Sequence, residues 1–402
     1  MSQVSERSRW LTPGVRGIGA ASFLADLGHE IPTALLPRLL VSTLGAPAAA
    51  LGLIEGVADG LAGLMRLLGG ALADDPSRRR NTAVGGYTTT ALLTALIGAA
   101  TSVWHVGVLR AGGWAARGLR VPSRNALLAD AVPSESYGRA YGFERALDNL
   151  GAVGGPLLAL ALVAAFSVRT AILLSVIPGL LAVLAILYAI RSLPHLSTRD
   201  RRPISITIKP VMQGRLGRLM FAVGAFELGN VAATLLILRA TELLTPTRGS
   251  DTATQLALSL YLAYNIAATL SSVPAGQLSD RVGPVRVLAG GVTAFLLAYV
   301  IFTVTGASAV VLGAAFVLAG IGIGCIETAE HAAVATSAPQ HLRGSAFGLL
   351  ATVQSFGNLA ASGVAGVIWS LASPTAAFVY IAAWMAIALV SLLRTASATA
   401  SV

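Results

Sequence analysis

The chain has 402 residues, of which 55% are apolar and only 11% charged, with a net charge of +10 and a mean hydropathy of +0.75. A water-soluble domain carries about 25% charged residues, so this composition excludes a soluble globular enzyme, and its apolar content excludes a disordered chain. What remains is an all-α membrane protein, because the apolar runs are about twenty residues long and not the alternating ten-residue segments of a β-barrel.

Hydropathy places twelve transmembrane spans at 17–42, 47–71, 82–103, 105–131, 137–164, 169–190, 217–240, 253–278, 286–305, 308–336, 343–371 and 375–394. The polar, basic stretch from Met1 to Arg16 has no cleavable-signal pattern, so the first span is expected to be retained. Loop charges set the orientation. On one side fall Arg7, Arg9, Arg16, Arg78, Arg79, Arg80, Arg139, Arg191, Arg199, Arg201, Arg202, Lys209, Arg215, Arg218, Arg281, Arg286, Arg343 and Arg394; on the other fall only Arg169 and Arg248. This asymmetry predicts that both termini are cytoplasmic in the inner membrane, and it accounts for the positive charge without a nucleic-acid partner. The polar segment 191–216, with Pro194, Pro203 and Pro210, reads as a cytoplasmic linker joining an N-terminal bundle (1–190) to a C-terminal bundle (217–402).

The halves look duplicated. Gly70, Leu72, Asp74 and Arg80 recur 206 residues later as Gly276, Leu278, Asp280 and Arg286. Pro133, Gly138, Gly142 and Gly151 recur at the same offset as Pro339, Gly344, Gly348 and Gly357. Parallel repeats of this kind characterise one large class of secondary transporters. The loop Gly70-Ala-Leu-Ala-Asp74-Asp75-Pro-Ser-Arg78-Arg79-Arg80 resembles the G-x-L-a-D-r-x-G-r-[RK] motif of the major facilitator superfamily, with Asp75 and Ser77 as departures. Its second copy, Gly276 to Arg286, fits the motif better. Arg110-Ala-Gly-Gly113 resembles the family's fourth-span signature, with Gly112 in place of glutamine, and Gly151-Ala-Val-Gly-Gly155-Pro156 resembles the fifth-span motif of its proton-driven exporters. The resemblance spans nearly the whole chain. It implies two six-helix bundles and alternating access without ATP. It also implies a conformational latch at Gly70, Asp74, Arg78, Arg80, Gly276, Asp280, Arg281 and Arg286, which Asp130 is placed to join.

Ionisable groups inside a membrane cost at least ~2.5–3.5 kcal/mol each and therefore need partners or water. The interiors of spans 3, 6, 9 and 12 contain none, as helices facing lipid should. The acids gather elsewhere: Asp26 and Glu30, Glu55 and Asp59, Glu144 and Asp148, each pair sharing one helix face at i,i+4, then Glu227, Glu327 and Glu330. Glu30 paired with Arg110 is the first expectation for a proton-coupling switch, with Asp26 second. Arg145 is expected on a different face from Glu144. In the C-terminal half Gln255, Tyr261, Tyr264, Asn265, Gln354 and Asn358 supply neutral polar surface for a substrate.

His29 beside Asp26 and Glu30, and His331 beside Glu327 and Glu330, leave open a transition-metal substrate. The excess of acid over base in the candidate cavity otherwise favours a cationic or neutral small molecule moved with protons. Efflux is the expected direction, and uptake is the alternative. No cofactor, resident metal or catalytic residue is implied: Lys209, the sole lysine, has no phosphate-binding loop around it, and no H-E-x-x-H occurs. The single cysteine, Cys325, permits no internal disulfide. A monomer is expected. The glycines Gly320, Gly322 and Gly324 sit inside an apolar run with no preceding strand, which points to close helix packing and not to a nucleotide site.

Overall fold

The computed structural model describes residues 10–193, 204–303 and 308–400. Arg7 and Arg9, and Pro194, Arg199, Arg201, Arg202 and Pro203 of the expected linker, lie outside the described residues. The described residues are almost wholly helical and contain no strand.

In chain order the helices are α1 (Pro13–Pro37), α2 (Ala48–Ala73), α3 (Pro76–Leu96), α4 (Val103–Asp130), α5 (Tyr137–Ala165), α6 (Val168–Leu174) and α7 (Val176–Ser192). There follow α8 (Gly214–Glu227), α9 (Ala233–Arg248), α10 (Ser250–Val282), α11 (Pro284–Thr303), α12 (Ala309–Ser337), α13 (Arg343–Leu371) and α14 (Pro374–Ala400). Their starts carry recognisable caps. Thr12, Asp75, Ser102 and Ser167 accept backbone N–H groups of α1, α3, α4 and α6, and Pro13 and Pro76 occupy first-turn positions where a missing N–H costs nothing. Between α10 and α11 the chain turns on Gly283 at φ 93°, a conformation that any Cβ would strain.

Two predicted spans are interrupted. The sixth is divided at Ser175 into α6 and α7. The seventh unwinds at Leu228–Ala232, leaving α8 with 14 residues and α9 with 16. Six helical stretches among the described residues are each long and apolar enough to cross a bilayer unaided: 134–165, 168–192 and helices α10, α11, α12 and α14. Helices α1, α2 and α4, which carry Asp26 and Glu30, Glu55 and Asp59, and Arg110, Arg117, Arg120 and Arg124, fall outside that set.

The chain divides into two compact units. One comprises residues 1–136, 147–211 and 338–352; the other comprises 137–146, 212–337 and 353–402. Inside the first, α2 packs on α4, α3 on α4, and α1 and α3 on α7. Inside the second, α10 packs on α12, α11 on α12, and α8 and α11 on α14. The same set of neighbours therefore appears twice, as the 206-residue repeat predicts. Gly320 and Gly324 lie so close to the backbone of α10, at Tyr264 and Ala268, that a Cβ on either would overlap it. This is the helix-packing role expected of them. Large apolar side chains such as Ile177, Leu181 and Leu184 on α7 and Val379, Ile387 and Val390 on α14 are exposed, which suits helices bathed in acyl chains.

Candidate functional site

Two polar networks lie within helices, one in each unit. In the first unit α1 carries Asp26, His29 and Glu30 on one turn. Asp26 and His29 are 4% and 3% exposed. The Nδ1 of His29 lies 3.0 Å from the Ala25 carbonyl oxygen and 3.2 Å from Oδ1 of Asp26. Its Nε2 lies 2.7 Å from Nη1 of Arg117 and 3.2 Å from Oε1 of Glu30. Arg117 also reaches Asp26 at 3.4 Å. One ring nitrogen thus faces a donor and an acceptor together. A neutral imidazole can accept from Arg117 at Nε2, whereas a protonated one can donate to Glu30.

Arg110 is 1% exposed, and its ion pair is with Glu55 at 3.0 Å, not with Glu30; its other nitrogen donates to Thr33 at 3.1 Å. Helix register explains this correction. Glu55 and Asp59 are one turn apart on α2, and Arg110 and Trp114 are one turn apart on α4, so the two helices meet at both rungs. The indole N–H of Trp114 donates to Asp59 at 2.6 Å, and the Arg110 guanidinium stacks 3.6 Å above the indole ring. Asp148 pairs with Arg124 at 3.2 Å. Gly151 and Gly155 of α5 press against α1 at Asp26 and Glu30, leaving no room for a Cβ. The exporter-like glycine motif therefore packs against the very face that carries these acids.

In the second unit the network surrounds the break between α8 and α9. Unwinding frees backbone groups that a membrane interior cannot hydrate, and α13 supplies partners. Asn358 donates to the Asn230 carbonyl oxygen at 2.6 Å, and the Ala232 N–H donates to Oγ of Ser362 at 2.8 Å. Asn230 in turn donates to Glu227 at 3.0 Å. Glu330, 1% exposed, accepts a hydrogen bond from Gln354 and lies within electrostatic reach of Glu227, Glu327 and Arg145. Arg145 does not face away from Glu144: its Nε and Nη2 donate to the carboxylate at 2.7 and 2.9 Å, a reach that the length of both side chains allows between adjacent residues. Asn265 stays outside this network and donates to its own helix at Tyr261. His331 turns Nδ1 to the Glu327 carbonyl oxygen at 2.6 Å, as His29 does to Ala25. Among the described residues no three His, Cys, Asp or Glu side chains are grouped to hold a metal ion.

The motif loops form one arrangement twice. In the first unit Asp74 accepts from the backbone N–H of Ser345 at 2.9 Å and from its hydroxyl, at the start of α13. In the second Asp280 accepts from the backbone N–H groups of Gly138 and Arg139 at 2.7 and 3.2 Å and from Nε of Arg139 at 2.7 Å, at the start of α5. Gly70 approaches Gly344 and Gly348, and Gly276 approaches Gly138, so tightly that any side chain would strike backbone. Each aspartate thus caps a helix N-terminus with its negative charge against the positive end of the dipole. Asp130 pairs with Arg79 and, at 3.4 Å, with Arg343, neither of them among the residues it is expected to join. Arg78 instead pairs with Asp75 at 3.5 Å, Arg80 reaches the Leu193 carbonyl at 3.4 Å, and Arg286, in the first turn of α11, donates to the Val282 carbonyl oxygen at the end of α10. Arg281 forms no ion pair among the described residues.

Burial against α13 pushes the Asp74 carboxyl above its ordinary range, although the Ser345 bonds and Arg79 pull the other way. A group that binds its proton more tightly in one arrangement favours that arrangement as pH falls, so acid should hold this contact shut. Asp74→Ala removes two hydrogen bonds worth ~1–3 kcal/mol. Ala346, fully buried on α13, reports the outcome: with Cys325→Ser and Ala346→Cys, maleimide labelling should quicken about 5- to 150-fold in Asp74→Ala. An unchanged rate would remove Asp74 from the latch.

Sequence reading overlooked Thr33, Asn230 and Trp114, and did not single out Arg79 among three neighbouring arginines. The i,i+4 match of Glu55/Asp59 to Arg110/Trp114 and the Gly229-Asn230 turn pair were available signals. Nothing in the sequence distinguishes Arg79 from Arg78 and Arg80.

Comparison with known proteins agrees with this geometry. The sequence profile of the Major Facilitator Superfamily matches residues 18–238 and 216–401. An uncharacterized MFS-type transporter of Methanocaldococcus jannaschii is 28% identical over 380 residues, covering 94% of this chain and 93% of its own. An uncharacterized protein of Mycobacterium tuberculosis is 30% identical over 188 residues, 46% of each chain. Among solved structures, a bacterial homologue of the iron transporter ferroportin in an outward-facing state superposes with TM-score 0.78 at 15% identity, covering 96% of this chain and 99% of that one. The human organic anion transporter MFSD10 does so with TM-score 0.73 at 17% identity, covering 94% and 99%. With a family profile over nearly its whole length, a duplicated set of helix neighbours and the twice-built motif loop, the chain belongs to the Major Facilitator Superfamily and is a membrane transporter, not an enzyme.

Proposed function

We infer that the protein is a proton-coupled exporter of a cationic or neutral small molecule, working by alternating access across the cytoplasmic membrane. In this reading twelve spans form an N-terminal bundle (1–190) and a C-terminal bundle (217–402) joined by a cytoplasmic linker, with both termini inside, and the monomer is the working unit. The observation that carries it is the contested Nε2 of His29, with Arg117 on one side and Glu30 on the other. Glu30 has a quarter of its side chain exposed, against 6% for Asp26, so it is the residue through which a proton enters. Protonating Glu30 removes its hold on the imidazole and leaves Arg117 to Asp26. Deprotonation restores it. A change in water access at Glu30 therefore redistributes charge over Asp26, His29 and Arg117. The exporter direction is supported by the glycines of the fifth-span motif, which seat that helix on Asp26 and Glu30. Glu227, Glu330, Gln354 and Asn358 offer acceptors and amide groups suited to a cation or a neutral polar compound.

Everted membrane vesicles test the reading, with ethidium and chloramphenicol as the cationic and neutral probes. Respiring vesicles should accumulate at least one of them, and nigericin should release it. Glu30→Gln should abolish gradient-driven accumulation while probe–probe exchange persists, since only the proton-binding group is lost. Driven accumulation retained by Glu30→Gln would remove Glu30 from coupling. Movement of neither probe, or nigericin-sensitive depletion from the lumen, would overturn the exporter reading.

A further inference from the structure

Four arginines line one side of α4, and three have carboxylates: Arg110 with Glu55, Arg117 with Asp26, Arg124 with Asp148. The fourth, Arg120, is 3% exposed and forms no ion pair among the described residues. Its guanidinium lies flat over the Tyr87 ring, 3.9 Å from the centroid. The Nε and Nη1 donors of Arg120, and the Tyr87 hydroxyl, reach no protein acceptor. Arg120 and Tyr87 border a buried space of about 10 Å³, whose other polar lining comes from Thr90, Thr94, Ser175 and His29. These six side chains are all at most 5% exposed, and none is a carboxylate.

A space of this size takes one particle about as large as a water molecule. Its chemistry discriminates further. A guanidinium withdrawn from water costs several kcal/mol unless counter-charge offsets it; Asp26 lies within electrostatic reach of Arg120, but so do the like charges of Arg117 and Arg124, and the walls offer N–H and O–H donors around that guanidinium. Guanidinium and phenol donors bordering one small space suit an acceptor that bears negative charge, and a monatomic anion is the smallest such group.

We propose that this space between α3, α4 and α7 is a chloride site, in which the anion neutralises Arg120 and accepts from the Tyr87 hydroxyl. Because His29 lines the same space, the bound anion stands beside the Asp26–His29–Glu30 turn and sets the field in which those groups exchange protons. The proposal does not depend on the direction of transport or on the substrate.

The test uses the purified full-length protein in detergent. Its thermal unfolding midpoint is measured while sodium chloride replaces sodium gluconate at constant ionic strength. The midpoint should rise and saturate with chloride, and bromide should act likewise. Tyr87→Phe removes one hydroxyl with little change of shape and should raise the chloride concentration at half-effect roughly tenfold, the loss of one hydrogen bond to a charged acceptor. Arg120→Met should abolish the response. Should that variant fail to fold, Tyr87→Phe and an anomalous bromide peak against Arg120 in crystals decide the matter. Equal midpoints in chloride and gluconate, a Tyr87→Phe response identical to that of the parent protein, or bromide absent from Arg120 would each overturn the site and assign the space to water.

Discussion

Valine in place of Gly276 is expected to lower the thermal midpoint of the purified protein far more than any surface change. A Cβ at this position falls on the backbone of Gly138 and Arg139. Backbone cannot rotate aside as a side chain can, so the start of α5 has to move as a unit. Overpacking of this kind costs ~1–3 kcal/mol by itself. The displacement also stretches the three bonds that Asp280 accepts from Gly138 and Arg139, each charge-assisted and worth ~1.5–3 kcal/mol. Gly290→Val is the control, since that glycine is exposed and has nothing within 4 Å of its would-be Cβ. The two variants should differ by at least ~3 kcal/mol on these grounds. Indistinguishable midpoints would show that the close approach at Gly276 is not needed. Gly70→Val, the counterpart in the first unit, should behave in the same way, because Gly70 meets Gly344 and Gly348 as Gly276 meets Gly138.

Asp130→Ala is expected to be nearly as damaging, for an electrostatic reason. Arg79 is 1% exposed; its Nη1 donates to Asp130 and its Nε donates to the Ala73 carbonyl oxygen at 2.8 Å. Removing the carboxylate leaves a buried guanidinium with half its partners, a change that costs ~3–5 kcal/mol in comparable pairs. The double variant Arg79→Met/Asp130→Ala should recover much of that loss, because removing both charges removes the unpaired one. A double-mutant cycle on the unfolding midpoints measures the coupling. Additive effects would mean that the pair contributes little and that Asp130 acts mainly through Arg343, 3.4 Å away. Arg343→Ala separates these roles, since it spares the Arg79 pair.

The location of the polar groups was largely legible from sequence, for a reason of solvation. A charge in a bilayer must be paired or hydrated, so its position in a span marks where a partner is needed, and Arg110 with Glu55, Arg117 with Asp26 and Arg124 with Asp148 occupy such positions. The repeat was legible too, because Gly70/Gly276 and Asp74/Asp280 serve one packing geometry used twice, and such geometry tolerates few residue types. Partner assignment was not legible. Sequence position leaves Arg110 able to meet either Glu30 or Glu55, and the choice depends on the rotation of α2 against α4, which no spacing within one helix reports. The reach of Arg145 to Glu144 likewise reflects the length of both side chains, not the nominal 100° between neighbouring residues. The break at Leu228–Ala232 was hidden because its apolar flanks keep the hydropathy of a continuous span.

Hydropathy and the 206-residue repeat were therefore sufficient for the class of the molecule and its helical content, since these follow from the cost of burying ions and from covalent duplication. Tertiary structure alone decided which acid meets which base and where a helix unwinds. Those outcomes depend on distances between segments far apart in the chain, and a difference of one ångström or one rotamer there exchanges one partner for another.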